Sequence, residues 1–195
     1  MKTKWLICVL GFLWANVFWI NELALLAAER EGKETFTGTI VGIGGQLGGV
    51  TRPFTLTIKH RTSDEDAARF ISTLKSGGQD ALLSEIHKED LGQFAVAGNV
   101  GRNINIVREY RTDHGRKITL VFERWLQMFE LRYGTRSEDY PFTYAELYID
   151  DNGKGEGSLI PAAKIYFDRK EQNTVAVENF GIYPARLANV QLSTR

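Results

Sequence analysis

The clearest alternation of apolar and polar positions lies between Pro53 and His60, where Phe54, Leu56 and Ile58 interleave with Thr55, Thr57 and Lys59. A period of two marks a half-buried strand. Residues 35–43 alternate in the same way, with Phe36, Gly38 and Ile40 on one face and Thr37, Thr39 and Val41 on the other. The glycine-rich residues 42–49 join the two segments, which therefore read as a hairpin. The period then lengthens. Ala67, Phe70, Ile71 and Leu74 fall at i, i+3, i+4 and i+7, one face of a helix. Ser63 followed by Asp66 can cap that helix, and Asp64 and Glu65 suit the positive end of its dipole. Gly77-Gly78 predicts its end, and Leu82, Leu83 and Ile86 predict a second, short helix from Gln79 or Asp80 to about Asp90.

From Gln93 onward the pattern returns to strands, over 93–97, 103–112, 116–125, 142–150, 157–168, 174–179 and 186–192. Turn signals such as Asn99-Val100-Gly101, Asp113-His114-Gly115, Asp151-Asn152-Gly153 and Glu171-Gln172-Asn173 separate most of them. Residues 126–139 read either as a further strand or as a loop. The expected fold is α+β and mostly β: an antiparallel barrel or sandwich of about eight or nine strands, with one helical pair inserted after the second strand. Barrels and sandwiches suit so many strands because they remove exposed edges.

The longest apolar run stands apart from this pattern. Residues 5–20 are broken only by Gly11 and Asn16 and follow Met1, Lys2, Thr3 and Lys4. A short basic start before an apolar core is the pattern of a secretory leader. It predicts an exported protein, secreted or periplasmic, with residues 1–28 as signal peptide, 29–35 as a charged linker and 36–195 as a single β-rich domain. The expected cleavage follows Leu26-Ala27-Ala28, with Leu26 bulkier than such a site prefers. The alternative is an uncleaved anchor facing the exterior, because residues 5–28 exceed the roughly 20 residues that span a bilayer. Glu22 would oppose that arrangement by a few kcal/mol, on the order expected for a buried charge. Cys8 precedes any usable apolar core, which excludes a lipoprotein.

Composition narrows the function classes. The whole chain carries 24 basic and 24 acidic side chains, and loss of Lys2, Lys4 and Glu22 with the leader leaves 22 and 23. A neutral domain lacks the concentrated basic surface that nucleic acids or anionic membranes require. No nucleic-acid partner is expected, and a membrane partner only if the leader stays attached. Cys8 is the only cysteine, so the mature chain would be disulfide-free, without thiol catalysis or thiolate metal sites. Trp5, Trp14 and Trp19 would leave with the leader, making Trp125 the sole indole.

Most chemical motifs yield to simpler readings. Counted from Gly42, the dinucleotide fingerprint fails at Leu47, a strand follows where a helix is needed, and there is no Gly-Lys-Ser/Thr. Gly77-Gly78-Gln79 matches a release-factor tripeptide but sits where a helix terminator is expected. Asp150, Asn152 and Glu156 begin like a calcium loop, yet Lys154 and Pro161 occupy positions that need oxygen ligands. His60, His87 and His114 are 27 residues apart and form no local metal unit. No serine stands in a nucleophile elbow or a Ser-x-x-Lys pair. Glu123, Glu130, Glu146 and Asp168 could converge, but Arg124 beside Glu123 and Arg108 beside Glu109 favour ion pairs on a solvated face.

Aromatic content is more suggestive. Phe142, Tyr144 and Tyr148 share a strand face with Glu146, while Ala145, Leu147 and Ile149 take the other. Tyrosine combines apolar bulk with a hydrogen-bonding tip, so Tyr144, Glu146, Tyr148 and Tyr166 are the candidate ligand-binding residues. Ordinary core packing is the competing reading of the same face.

Three stretches, GIGGQLGGVTRPFTLTI over 42–58, GQDALL over 78–83 and DDNGKGEGSLIPAAKI over 150–165, resemble segments of an uncharacterised family of secreted bacterial proteins. The resemblance implies a bacterial exported domain and carries no assigned activity, fold or ligand. The leading expectation is therefore an exported, non-catalytic β-rich domain that binds a small ligand or an envelope protein. No metal or cofactor is expected. The alternatives are a small carboxylate-dependent hydrolase using Glu123, Glu146 and Asp168, or a membrane-tethered envelope protein.

Overall fold

Strand and helix periods lead to ten strands and one helix among the residues described by the computed structural model, namely 32–42, 49, 51–97, 99–124, 139–168, 174–180 and 184–193. The predicted leader at 1–28, most of the glycine-rich loop, Trp125, Glu130 and the ambiguous residues 126–138 lie outside them. In chain order the elements are β1 (Glu34–Val41), β2 (Thr51–Ile58), α1 (Asp64–Ile86), β3 (Gly92–Val96), β4 (Arg102–Asn103) and β5 (Ile106–Thr112). They continue with β6 (Gly115–Glu123), β7 (Phe142–Ile149), β8 (Lys154–Asp168), β9 (Thr174–Asn179) and β10 (Ala185–Leu192). All pairings are antiparallel, in the order β4-β3-β2-β1-β10-β8-β7-β6-β5, with β9 added to β8. The fold is α+β and mostly β, with its helical segment after the second strand.

Two details differ from expectation. The hydrogen-bonded ladder starts at β4 and ends at β5, so the sheet is not closed into a barrel. The helical segment α1 runs on without a loop but is kinked at Gly78, whose φ of 74° and ψ of −166° are not helical. Glycine reaches that conformation without a Cβ penalty, and the helix resumes with no intervening loop. Phe70 and Leu74 before the kink and Leu82 and Ile86 after it join one apolar cluster against the sheet. The two segments fold back beside each other, since Arg69 Nε lies 2.8 Å from Glu85 Oε1 although sixteen residues separate them, about 24 Å of rise in a straight helix. At the other end, Ser63 caps α1 as expected, its Oγ accepting from the Asp66 amide at 3.0 Å.

The segment 103–112, expected as one strand, is divided at Ile104 and Asn105. The Ile104 amide still bonds Gly92 O at 3.0 Å beside β3, whereas the Asn105 amide turns to Val121 O of β6 at 3.1 Å. The Asn105 side chain makes the change of partner possible. Its Nδ2 donates to Ile86 O and Glu89 O, at 3.1 and 3.0 Å, and its Oδ1 accepts from the Glu123 amide at 3.1 Å. One buried amide thus closes the C-terminal end of α1 and ties it to β6.

Side chains alternate across the strands. Ile118, Leu120 and Phe122 of β6 and Ala145, Leu147 and Ile149 of β7 point into the main core with Phe36, Leu56, Ile58 and Leu187. Phe94 stacks between Phe54 and Phe122, at centroid distances of 5.2 and 5.7 Å. The opposite faces of β6, β7 and β8 carry Val121, Phe142, Ala163 and Ile165, which pack beneath α1.

Near the Glu34 end of β1, four charged side chains form a closed set. Arg61 and Arg116 each bond both Glu34 and Glu109; the Arg61–Glu109 distance is 3.0 Å, and Arg116 lies 2.8 Å from Glu34 and 3.2 Å from Glu109. Glu109 was expected to pair on a solvated face. Its side chain is only 10 % exposed, because alternation turns it away from Arg108 and towards this set.

The turn that leads into this end depends on Gly115. Its φ is +133°, and a Cβ placed there would lie 2.1 Å from Ile149 O. Backbone cannot yield as a flexible side chain can, so Gly115→Ala is expected to lower stability by about 2–3 kcal/mol. Urea unfolding measures it, and a midpoint unchanged from wild type would show that the turn adapts.

Candidate functional site

Strand register places the outer face of β5, β6 and β7 in rows. Ile106, Val121 and Tyr144 form an apolar row; Arg108, Thr119 and Glu146 form the next; Tyr110, Lys117 and Tyr148 form a third. The same surface therefore grades from apolar to polar along the strands. Above its apolar part runs the helical face identified by spacing, Ala67, Phe70, Ile71 and Leu74. Helix and sheet separate there to leave a groove of about 390 Å³, continued by Ile165 of β8 and by Val175 and Val177 of β9. Such a volume falls within the range of small-molecule sites, roughly 300–1,000 Å³.

Three large apolar side chains stay open to solvent around this groove: Ile71 is 39 % exposed, Tyr110 51 % and Val175 37 %. Exposed apolar residues gathered in one place, rather than scattered, mark a binding surface. At the polar end, Lys117 Nζ lies 2.6 Å from Glu146 Oε1. The Tyr144 and Tyr148 hydroxyls both donate to the same carboxylate. Burial works to raise the Glu146 pKa, but hydrogen bonds from Lys117 and Tyr144 outweigh it and hold the carboxyl below its ordinary value. The bond to Glu146 raises the Lys117 pKa, so the ammonium is secured. Burial first, and then the neighbouring Glu146, pushes Tyr144 ionisation well above the usual tyrosine range. Arg108 Nη1 donates to Thr62 O at 2.9 Å, and its Nη2 reaches Asp64 at 2.7 Å.

The four tyrosine-centred candidates are divided by this arrangement. Tyr144 lines the groove and donates to Glu146, which lies just outside the lining, while Tyr148, half exposed, lines a separate depression over β7, β8 and β10. Tyr166 does not join them. Its neighbour Ile165 faces the groove, so alternation along β8 sends Tyr166 to the other face. Arg108, Lys117, Thr119 and Val175 were missed as groove residues. The helical face containing Ile71 was visible by spacing, but only strand register reveals what lies opposite.

Among the described residues, Glu123, Glu146 and Asp168 do not assemble for hydrolysis. Glu123 opposes Phe142, and Glu146 lies four residues further along β7, about 13 Å away at 3.3 Å per residue. That exceeds the roughly 5–10 Å of glycosidase pairs. Glu123 instead lies 3.1 Å from His87 Nδ1, and Asp168 is at the far end of β8. Asp150 Oδ1 accepts from the Asn152 and Lys154 amides, at 2.9 and 2.8 Å, and Glu156 pairs with Arg186, which commits the would-be calcium ligands to a turn and an ion pair. Among the described residues, no group of three or more His, Cys, Asp or Glu side chains is placed to hold a metal. Gln79 of the glycine-glycine-glutamine tripeptide donates through Nε2 to Asp139 O at 3.0 Å.

A larger depression, about 790 Å³, lies over β7, β8 and β10 and includes His114, Lys154, Glu156 and Arg186. Its apolar members Ile149 and Val190 are turned into the core, and Arg186 and Glu156 neutralise each other at 2.5 Å. Tyr148 is the exposed aromatic side chain of this depression, whereas the helix–sheet groove gathers three exposed apolar side chains against an apolar helical face. Compared with protein-family models, curated proteins and solved structures, the chain matches none.

Proposed function

We propose that the protein is an exported, non-catalytic domain that binds a small amphipathic ligand in the groove between α1 and the outer face of the sheet. The observation that carries this reading is the concentration of Ile71, Tyr110 and Val175, all exposed, around one groove with an apolar body and a polar end. Sequestering them from water would stabilise the bound state at about 25 cal/mol per Å² of apolar area. Export rests on the basic start and apolar run of residues 1–20. Among the described residues, no helix is long and apolar enough to cross a membrane. The sheet serves as a sandwich-like scaffold: its main core is filled by Phe36, Leu56, Ile118 and Leu147, which leaves ligand binding to the outside. The resemblance to secreted bacterial proteins points the same way as the leader.

The test is binding of the neutral apolar dye Nile red, followed by its fluorescence. Wild type is expected to bind, and Ile71→Trp, which fills the mouth from an exposed position, to bind at least about tenfold more weakly. Absence of dye binding, or binding indifferent to Ile71→Trp and to Val175→Trp, would overturn the reading.

A further inference from the structure

We infer that the ligand of the groove is a long-chain carboxylate, its hydrocarbon chain lying between α1 and the sheet and its head group held between Arg108 and Lys117. The inference rests on the groove reading and adds the chemistry of the ligand. Arg108 and Lys117 are the charged side chains among the described residues that line the groove, and no Asp or Glu lines it with them. Both lie on the same polar edge. Arg108 opposes Thr119 and Tyr110 opposes Lys117, so the two cations are diagonal neighbours on adjacent strands. Such positions are about 7–8 Å apart, close enough for one carboxylate to accept from both.

Their present partners leave room for it. Asp64, which pairs with Arg108, has a side chain 89 % exposed, and an exposed pair of this kind contributes little. Two backbone carbonyls, Thr62 O and Ser63 O, hold the Arg108 guanidinium in place when Asp64 swings away. Lys117 carries three donors, of which Glu146 Oε1 and the Tyr148 hydroxyl engage two, leaving one for a ligand. Glu146 lies outside the groove lining and competes with the ligand for the ammonium. A neutral hydroxyl can accept from either cation but brings no charge and only one oxygen, so it gains less than a carboxylate, and a cationic head group would be repelled.

Paired titrations of the exported full-length protein with dodecanoate and dodecanol, below their micelle concentrations at neutral pH, test the inference. Dodecanoate is expected to bind at least about tenfold more tightly than dodecanol. Lys117→Gln should weaken dodecanoate by about tenfold and leave dodecanol unchanged, with a salt dependence lost in parallel. Glu146→Gln removes the competing carboxylate and should strengthen dodecanoate alone, a gain that a misfolded variant cannot mimic. Equal affinity for the two ligands, or a Glu146→Gln variant that binds dodecanoate no better than wild type, would overturn the carboxylate inference while the groove reading stands. Failure of both ligands to bind would overturn the two together.

Discussion

Asn105→Ala is expected to be the most destabilising single change in the protein, at roughly 3–4 kcal/mol, because each buried polar group left unpaired costs about 1–3 kcal/mol. Two groups lose the partner that Asn105 supplies, Glu89 O beyond the end of α1 and the Glu123 amide at the end of β6, and Ile86 O is left with the Glu89 amide alone. Asn105 is only 4 % exposed, so water does not readily replace it. Asn105→Asp separates the hydrogen-bonding role from side-chain volume. The carboxylate keeps its acceptor for Glu123 but faces two carbonyls without a proton to give. Its folded-state pKa must therefore rise, and the deficit should shrink as pH falls and the carboxyl becomes protonated. Urea unfolding at pH 7 and pH 4 measures both effects. If Asn105→Ala unfolds at the wild-type midpoint, the amide is not the junction between helix and sheet.

Loss of Glu109 should rank next. Glu109→Ala leaves Arg61 and Arg116 sharing Glu34 in a largely buried setting, and breaking such a set costs on the order of 3 kcal/mol. The same group makes stability depend on pH. Burial raises the Glu109 pKa, but Arg116 and Arg61 overcome it and hold the carboxyl below its ordinary value of 4.5. Because the folded-state value is depressed, the contribution is fully present above about 4.5 and is lost as pH falls through the lower folded value. Glu146, depressed by Lys117 and Tyr144, adds a loss of the same sign. Thermal unfolding of wild type should therefore decline steeply below pH 4.5, and that of Glu109→Gln less steeply. Parallel profiles for the two proteins would remove Glu109 as a source of the acid sensitivity.

These two predictions concern residues whose setting sequence reading did not reach. Asn105 sat within an expected continuous strand, since nothing in the spacing of Ile104, Asn105 and Ile106 marks a change of partner. Its role depends on α1 ending beside β6, a contact across 19 residues of chain from Ile86. Glu109 was read in a cross-strand ion pair on a solvated face; it does pair across strands, with Arg116 of β6, but in a largely buried setting. Its true partners come from β1, β6 and the segment after β2.

Spacing by itself determined the strand-rich architecture, the helical position after the second strand, the Ser63 cap and the grouping of Ala145, Leu147 and Ile149 on one strand face. Those properties depend on periodicity and short-range hydrogen bonds, which a linear chain displays directly. How the segments on either side of Gly78 lie was decided by packing, because Phe70, Leu74, Leu82 and Ile86 share one seat on the sheet. The groove was likewise decided by tertiary structure. Tyr144, Glu146 and Tyr148 were selected from one strand, whereas Arg108 and Lys117 arrive from two others and Tyr166 is lost to the opposite face. Register determines which side chains meet across strands, and it depends on the simultaneous pairing of all of them rather than on any one segment.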